Sequence, residues 1–449
     1  DRALVQLDSP VALSGSIPIY VSCAIKPVPI LDWLRQTTTQ PRVYWSSRDG
    51  ELEIGGSGTA LTVAADDTKQ FPAAFAKMSA ILSTQPQDSL IRFIGGSSFD
   101  PQDSRNGRFQ RYRSLWFFLP QIILTRCGEN HYLSACIMVD RDSDRQAVKQ
   151  ELLEQLESGL ALSLDGNRLP LIGYSERHDS PDRDGWDDMV ETALGQIKEG
   201  AIEKVVLARR TDLEFTQSIS PFSLLDSIRD AASSCFHFLL QPENSVAFIG
   251  ASPERLFKVE NDRFHTEALA GTIVRGRNET EEKSNREKLA TGSKERREHR
   301  YVVKAVIQVL ADLCNDISST GQPEVLTLAN VHHLLTPISG RLKSETTIGD
   351  VLKALHPTPA VCGTPRRQAQ ELIRKLEPFG RGWYAGPVGY IGRQQSEFAV
   401  AIRSALIDQE RVSLFAGAGI VSGSVAEQEW QELEQKMATM MNLFPKNRC

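Results

Sequence analysis

Apolar runs of strand length alternate with long amphipathic helical segments along this chain, and no regular βαβ period joins them. Parallel strands need a crossover connection, usually a helix, so irregular interleaving predicts an α+β fold rather than a doubly wound sheet. RVYWSSRDGELEIGG reads as a hairpin around Asp49 and Gly50, and SLIRFIGGSSFD as a strand entering a glycine turn. SVAFIGASPERLFKVE reads as two strands around Ser252 and Pro253, FHTEALAGT as a strand ending in a turn, and RVSLFAGAGIVSGS as a strand running into a glycine-rich turn. Trp186, Met189, Val190, Ala193 and Ile197 recur at helical spacing before Gly200. SKERREHRYVVKAVIQVLADL is a helix with Ser293 as N-cap, and SVAEQEWQELEQKMATMMNLF a last helix capped by Ser424. The polar stretch Ser175 to Asp188 reads as a join between an N-terminal part, 1–180, and a region, 181–449, that holds every motif with chemistry in it.

Composition narrows the function. The 449 residues are 41% hydrophobic and 24% charged, enough to bury a large core, as one integrated domain or as two. A formal charge of -6 argues against a nucleic-acid binder, which needs a clustered basic surface, and leaves room for a small anionic substrate. Seven scattered cysteines with no CxxC pair read as reduced thiols of a cytoplasmic protein. No apolar run approaches the ~20 residues of a membrane span, and no charged leader precedes an apolar segment, so no membrane partner is expected. The chain begins at Asp1 rather than Met, which suggests trimming.

Four features carry candidate chemistry. GAGIVSGS, with Gly417, Ala418 and Gly419, offers backbone N–H groups ahead of a helix, a setting that attracts carboxylate or phosphate; alone it reads equally as a tight turn. Glu429, Glu432 and Lys436 share one helix face beside the stripe Trp430, Leu433, Met437 and Met440, either as a surface ladder or facing a site. Glu298 lies in line with Val302 and Ala305; a carboxylate turned toward a core needs a cation, and neighbouring arginines or a metal would serve. Two such glutamates from separate helices suit Mg²⁺. Finally, Lys204 stands at the mouth of the apolar strand KVVLARR and Glu254 in GASPERLF. A desolvated lysine accepts a proton near neutral pH and a desolvated glutamate donates one, so the two make a base and an acid, or else a structural ion pair.

Taken in order, IEKVVLARR, FIGASPERLF, TEALAGT, KERREHRYVV, LHPTPAVCGTPR, EPFGRGWYAGPVGYIG, SEFAVAIRSA and LFAGAGIVSGSVAEQEWQELEQK resemble the chorismate-utilising enzymes. They are most similar to isochorismate synthases of the menaquinone-pathway type, strongly over roughly 185–444 and weakly before. The resemblance implies two large, mainly antiparallel sheets packed together with helices outside. It also implies a Mg²⁺-dependent isomerase that adds water at C2 of chorismate and expels the C4 hydroxyl. Lys204 would activate the water, Glu254 would protonate the leaving hydroxyl, and His356 would lie near the reacting face. Glu298 and Glu432 would hold Mg²⁺, with Glu429 as a further ligand. Arg403 and Tyr384 would bind the enolpyruvyl carboxylate, and the backbone at Gly417, Ala418 and Gly419, with Lys436, the carboxylates. Glu267, Ala270, Gly271 and Thr272 would line the ring. No glutamine amidotransferase subunit is implied, since the lysine of a PIKGT motif is replaced by Ala270, and a monomer or weak dimer is expected. Salicylate synthases share the Lys/Glu pair; a siderophore-pathway synthase and a chorismate-binding, partner-dependent subunit are the other readings.

Overall fold

The computed structural model describes residues 16–105, 107–140, 142–161, 168–327 and 331–445. The fold is α+β. One sheet runs Ile17–Ile25, Asn130–Val139, Ile122–Cys127, Leu52–Ser57, Arg42–Ser46, Phe236–Glu243, Val246–Ser252, Ser404–Asp408, Arg411–Val421, Lys204–Glu214 and Gly363–Thr364, with Glu176–Ser180 also on the Lys204 strand. The other runs Cys314–Ser319, Val331–Leu342, Arg263–Val274, Arg255–Glu260, Gln395–Val400, Pro387–Gly392, Arg92–Ser97, Leu115–Leu119 and Leu61–Ala65, with Glu324–Thr327 beside the second of these. Every strand pair among the described residues is antiparallel. Apart from Glu176–Ser180, strands from before residue 180 form one flank of each sheet and later strands the other, joined where Arg42–Ser46 pairs with Phe236–Glu243 and Arg92–Ser97 with Pro387–Gly392. The segment at Ser175 to Asp188 is no linker here: Glu176–Ser180 pairs with Glu214 to Arg210, and Asp182 caps the helix Arg183–Lys198.

The two sheets meet through aromatic side chains. Trp45 of the first lies edge-on to Tyr390 of the second at 6.0 Å and stacks on Phe236 at 5.5 Å, all three buried. Each such side chain contributes about 1.5–3 kcal/mol by leaving water. Helices cover the outside; Ala426–Met441 packs on the Arg411 strand and Ser293–Leu313 on the Arg263 strand. Among the described residues no helix is long and apolar enough to cross a membrane.

The hairpin at Asp49 and Gly50 forms as expected, with Gly50 at φ +74°. Gly95 and Gly96 lie inside the strand Arg92–Ser97 rather than in a turn, because a Cβ there would strike the backbones of Trp116 and Pro387 at 2.0 and 2.2 Å. Ser293 is the first residue of its helix, and Gly292 takes the cap position.

Candidate active site

The strands Lys204–Glu214 and Arg411–Val421 set Lys204 opposite Val421, Val206 opposite Gly419 and Ala208 opposite Gly417. Residues facing each other across a ladder share a face, as do alternate residues along a strand. Lys204, Val206, Ala208, Gly417 and Gly419 therefore line one side, while Ala418 and Ile420 are fully buried on the other. A Cβ at Gly419 would stand 3.1 Å from Lys204 Cε, and one at Gly417 would stand 3.0 Å from Tyr384 Oη. The glycines thus give room to the lysine stem and the phenol.

This corrects the glycine-turn reading. Gly417, Ala418 and Gly419 are strand residues, and the turn follows them, closed by Ser424 N–H to Val421 C=O at 3.0 Å and Val421 N–H to Ser424 Oγ at 3.2 Å. Ser424 is spent in that turn, so Val425 occupies the helix cap without a side-chain bond. Pairing with Ser404–Asp408 ends at Leu414, and beyond it Lys436 Nζ donates to the Gly417 carbonyl at 2.7 Å.

Glu254 sits between the strands Val246–Ser252 and Arg255–Glu260. Its N–H donates to Ser252 Oγ at 3.2 Å and its carbonyl accepts from Val400 N–H at 3.1 Å, which fixes the backbone on both sides. Burial, and then the charge of Glu267, push its carboxyl up to about 7, against the opposing pull of Lys204, the Thr358 hydroxyl and Lys436. The Thr358 hydroxyl is buried and close enough to act on the charge. Roughly half of such a carboxyl carries its proton at neutral pH, as a general acid requires. Lys204 and Glu254 thus belong to one electrostatic site.

Arg403, at φ +51°, donates from Nη1 to the Lys436 carbonyl at 3.1 Å, and its own carbonyl accepts from Ala251 N–H at 3.0 Å. Burial lowers the Arg403 pKa, yet a guanidinium keeps its charge. Tyr384 is buried, stacked on Phe415 at 5.1 Å and 16°, and burial raises its phenol pKa. A cavity of about 800 Å³ opens beside these groups, lined by Arg403, Lys436, Glu432, His333 and Pro253 among others. Its size suits a small ligand, and its cations suit an anion.

Ala270, Gly271 and Thr272 do not end their strand; it continues to Val274 through a bulge at Gly271, φ +76°, with Ala270 opposite Leu334 and Thr272 opposite His333. His333, which sequence reasoning missed, lines the cavity from the strand opposite that bulge. Burial and the charges of Arg403 and Lys436 push its imidazole down to about 4, so it is neutral in the site. The signal was the pair His332–His333 in a strand, where one ring must face each side; His332 is fully buried, 3.2 Å from Glu282. His356 turns elsewhere: Nε2 bonds the Phe99 carbonyl at 3.0 Å and the ring packs edge-on to Phe99 at 5.9 Å. From its segment it is Thr358 that lies beside Glu254.

Glu298 falls on the helix Ser293–Leu313; its side chain and that of Thr272 lie outside the described residues. Glu432 lines the cavity, its side chain 47% exposed, and pairs with Lys436 Nζ at 2.5 Å. Glu429 sits one turn earlier on the C-terminal helix, and Leu433, Met437 and Met440 bury the neighbouring stripe. Among the described residues no three metal-binding side chains cluster. Glu432, paired with the Lys436 ammonium group, nevertheless offers the cavity a carboxylate, the donor type a hard cation takes.

The sequence profile described as chorismate binding enzyme matches residues 11–444. The chain belongs to that family. Among chorismate-binding enzymes it is similar to isochorismate synthase MenF of Escherichia coli (strain K12), 35% identical over 92% of this chain and 90% of that protein. It is also similar to isochorismate synthase MenF of Bacillus subtilis (strain 168), 32% identical over 93% and 91%. The solved structure of the menaquinone-specific isochorismate synthase MenF from Escherichia coli superposes with a TM-score of 0.83 at 31% identity, covering 99% of both chains. Anthranilate synthase component I from Streptococcus pneumoniae TIGR4, TM-score 0.70 at 22% identity over 96% of this chain and 93% of that one, shares the fold.

Proposed function

We propose that this protein is an isochorismate synthase that converts chorismate to isochorismate for menaquinone formation. The observation that carries the reading is a lysine laid across a glycine, Lys204 over Gly419, in the same electrostatic site as a carboxyl held near neutral pH, Glu254. Water is a poor nucleophile and hydroxide a poor leaving group, so the exchange needs a base and an acid together. Lys204 takes a proton from water as its oxygen bonds to C2. The ring double bonds shift, and Glu254 gives its proton to the C4 hydroxyl, which leaves as water. One water enters and one departs, so the reaction is an isomerisation.

Arg403 and Tyr384 bind the enolpyruvyl carboxylate, and the backbone at Gly417, Ala418 and Gly419 with Lys436 supports the carboxylates. Neutral His333 and the bulge at Ala270, Gly271 and Thr272 border the ring. When bound, Mg²⁺ supplies charge neutralisation and orientation for the ring carboxylate, and Glu298 and Glu432 would hold it with Glu429 beside them. We read the enzyme as cytoplasmic, a monomer or weak dimer, with no glutamine amidotransferase subunit.

Lys204→Ala and Glu254→Gln are each expected to leave below about 1% of wild-type turnover, with circular dichroism and melting unchanged. A folded variant retaining more than about a tenth of the activity contradicts the assigned roles.

A further inference from the structure

Glu254 belongs to the C-terminal part of the chain, but the group that braces it comes from the N-terminal hairpin. Arg48 projects from the turn between Arg42–Ser46 and Leu52–Ser57, which is locked by Ser47 N–H to Leu52 C=O at 2.9 Å and Leu52 N–H to Ser47 Oγ at 3.0 Å. Its guanidinium forks onto Glu267, Nη1 to Oε1 at 2.6 Å and Nη2 to Oε2 at 2.8 Å, and Nη1 donates again to the Pro253 carbonyl at 2.9 Å. The side chains are 17% and 4% exposed, so the fork is nearly closed to solvent, where bidentate geometry counts most. The Phe236 ring lies under both Arg48 and Arg255, at 5.5 and 5.4 Å. Pro253 directly precedes Glu254, so the same guanidinium holds the backbone from which the acid projects.

The charges tie the two carboxyls together. Glu254 feels Glu267, Lys204 and Lys436, and acts in turn on Tyr384. Glu267 faces Arg48 and Arg255, and Arg255 is shared with Glu397 at 3.0 Å. The negative charge of Glu267 favours the protonated form of Glu254, so whatever holds that carboxylate in place acts on the acid.

We propose that Arg48 is a positioning residue for the acid: its fork holds the Glu267 carboxylate near Glu254, and its further bond fixes the Pro253 backbone from which Glu254 projects. This rests on Glu254 being the proton donor. Without Arg48 the Glu254 backbone loses a tether and the site loses a cation, so the acid is less well aimed and keeps its proton to higher pH.

The test is the pH profile of kcat for purified full-length Arg48→Met and Arg48→Met/Glu267→Gln with chorismate and Mg²⁺. For Arg48→Met, kcat is expected to fall about tenfold with KM within about threefold, and the alkaline limb to move up by at least about half a pH unit. The double variant also removes the Glu267 charge, which raises the Glu254 pKa, so the limb is expected below that of wild type. A merely structural role lowers activity and leaves the limb of Arg48→Met in place; that result overturns the proposal. If Arg48→Met does not fold, Glu267→Gln alone must move the limb down, and an unmoved limb is equally fatal. An active Glu254→Gln removes the donor reading itself, whereas an inactive one beside a wild-type Arg48→Met profile removes only the role of Arg48.

Discussion

A methyl group at residue 419 would stand 3.6 Å from Lys204 Nζ and 3.1 Å from Cε, so the base reaches its place because position 419 carries no side chain. The obstructed atoms are the end of a flexible chain, which can move away without disturbing the sheet. Gly419→Ala is therefore expected to keep the melting temperature within about 2 °C while kcat falls at least about tenfold, since a small misplacement of a catalytic group is costly. Unchanged turnover in that variant would remove the steric argument. Lys204 and Glu254 were legible in the sequence because a charge at the mouth of an apolar strand is anomalous. His333 was not singled out, since its facing is set by the register opposite the Gly271 bulge, where it pairs with Thr272 on a strand distant in the chain. Gly417 and Gly419 carry no alternation signal at all, so a glycine-lined strand read as a turn.

Between two short edge strands the Lys204 strand has a gap. Gly363–Thr364 covers only Val205 and Lys204, and Glu176–Ser180 begins at Arg210. The buried pair Glu377–Arg381 fills it: Ala208 N–H donates to Glu377 Oε1 at 2.8 Å, and Arg381 Nη2 donates to the Val206 carbonyl at 2.7 Å and Nη1 to that of Val361 at 2.8 Å. Burial is the largest influence on Glu377 and raises its pKa, against the pull of Arg381. Glu377→Ala leaves a buried guanidinium without its counter-ion and a strand N–H without its acceptor, and a loss of about 3–5 kcal/mol is expected in urea unfolding. A loss under about 1 kcal/mol would mean water replaces the carboxylate easily. The motif EPFGRGWYAGPVG was visible in the sequence, but its reach to Val206 and Ala208 depends on an edge that only the assembled sheet reveals.

Both sheets are built from early and late strands paired side by side, which makes the whole chain one scaffold for the cavity, and Arg48 is a place where the early part touches the chemistry. The fold class was legible from the missing βαβ period; the strand order was not, because antiparallel partners here come from distant segments. Burial of histidines is also a property of the whole molecule. Burial pushes His237 and His356 each down to about 4, so below the unfolded value near 6.5 the unfolded chain binds protons that the folded one does not. Stability is expected to be lost as pH falls from about 6.5 toward 4, on the order of 1–2 kcal/mol per histidine at pH 5, as a falling urea midpoint. A midpoint flat over that range would contradict the assignment. The central claim is tested most directly by proton NMR of the products from chorismate and Mg²⁺, beside a sample with EDTA. The account expects isochorismate to accumulate without pyruvate in the first and no conversion in the second. Salicylate with matching pyruvate, or no turnover in either, would contradict it.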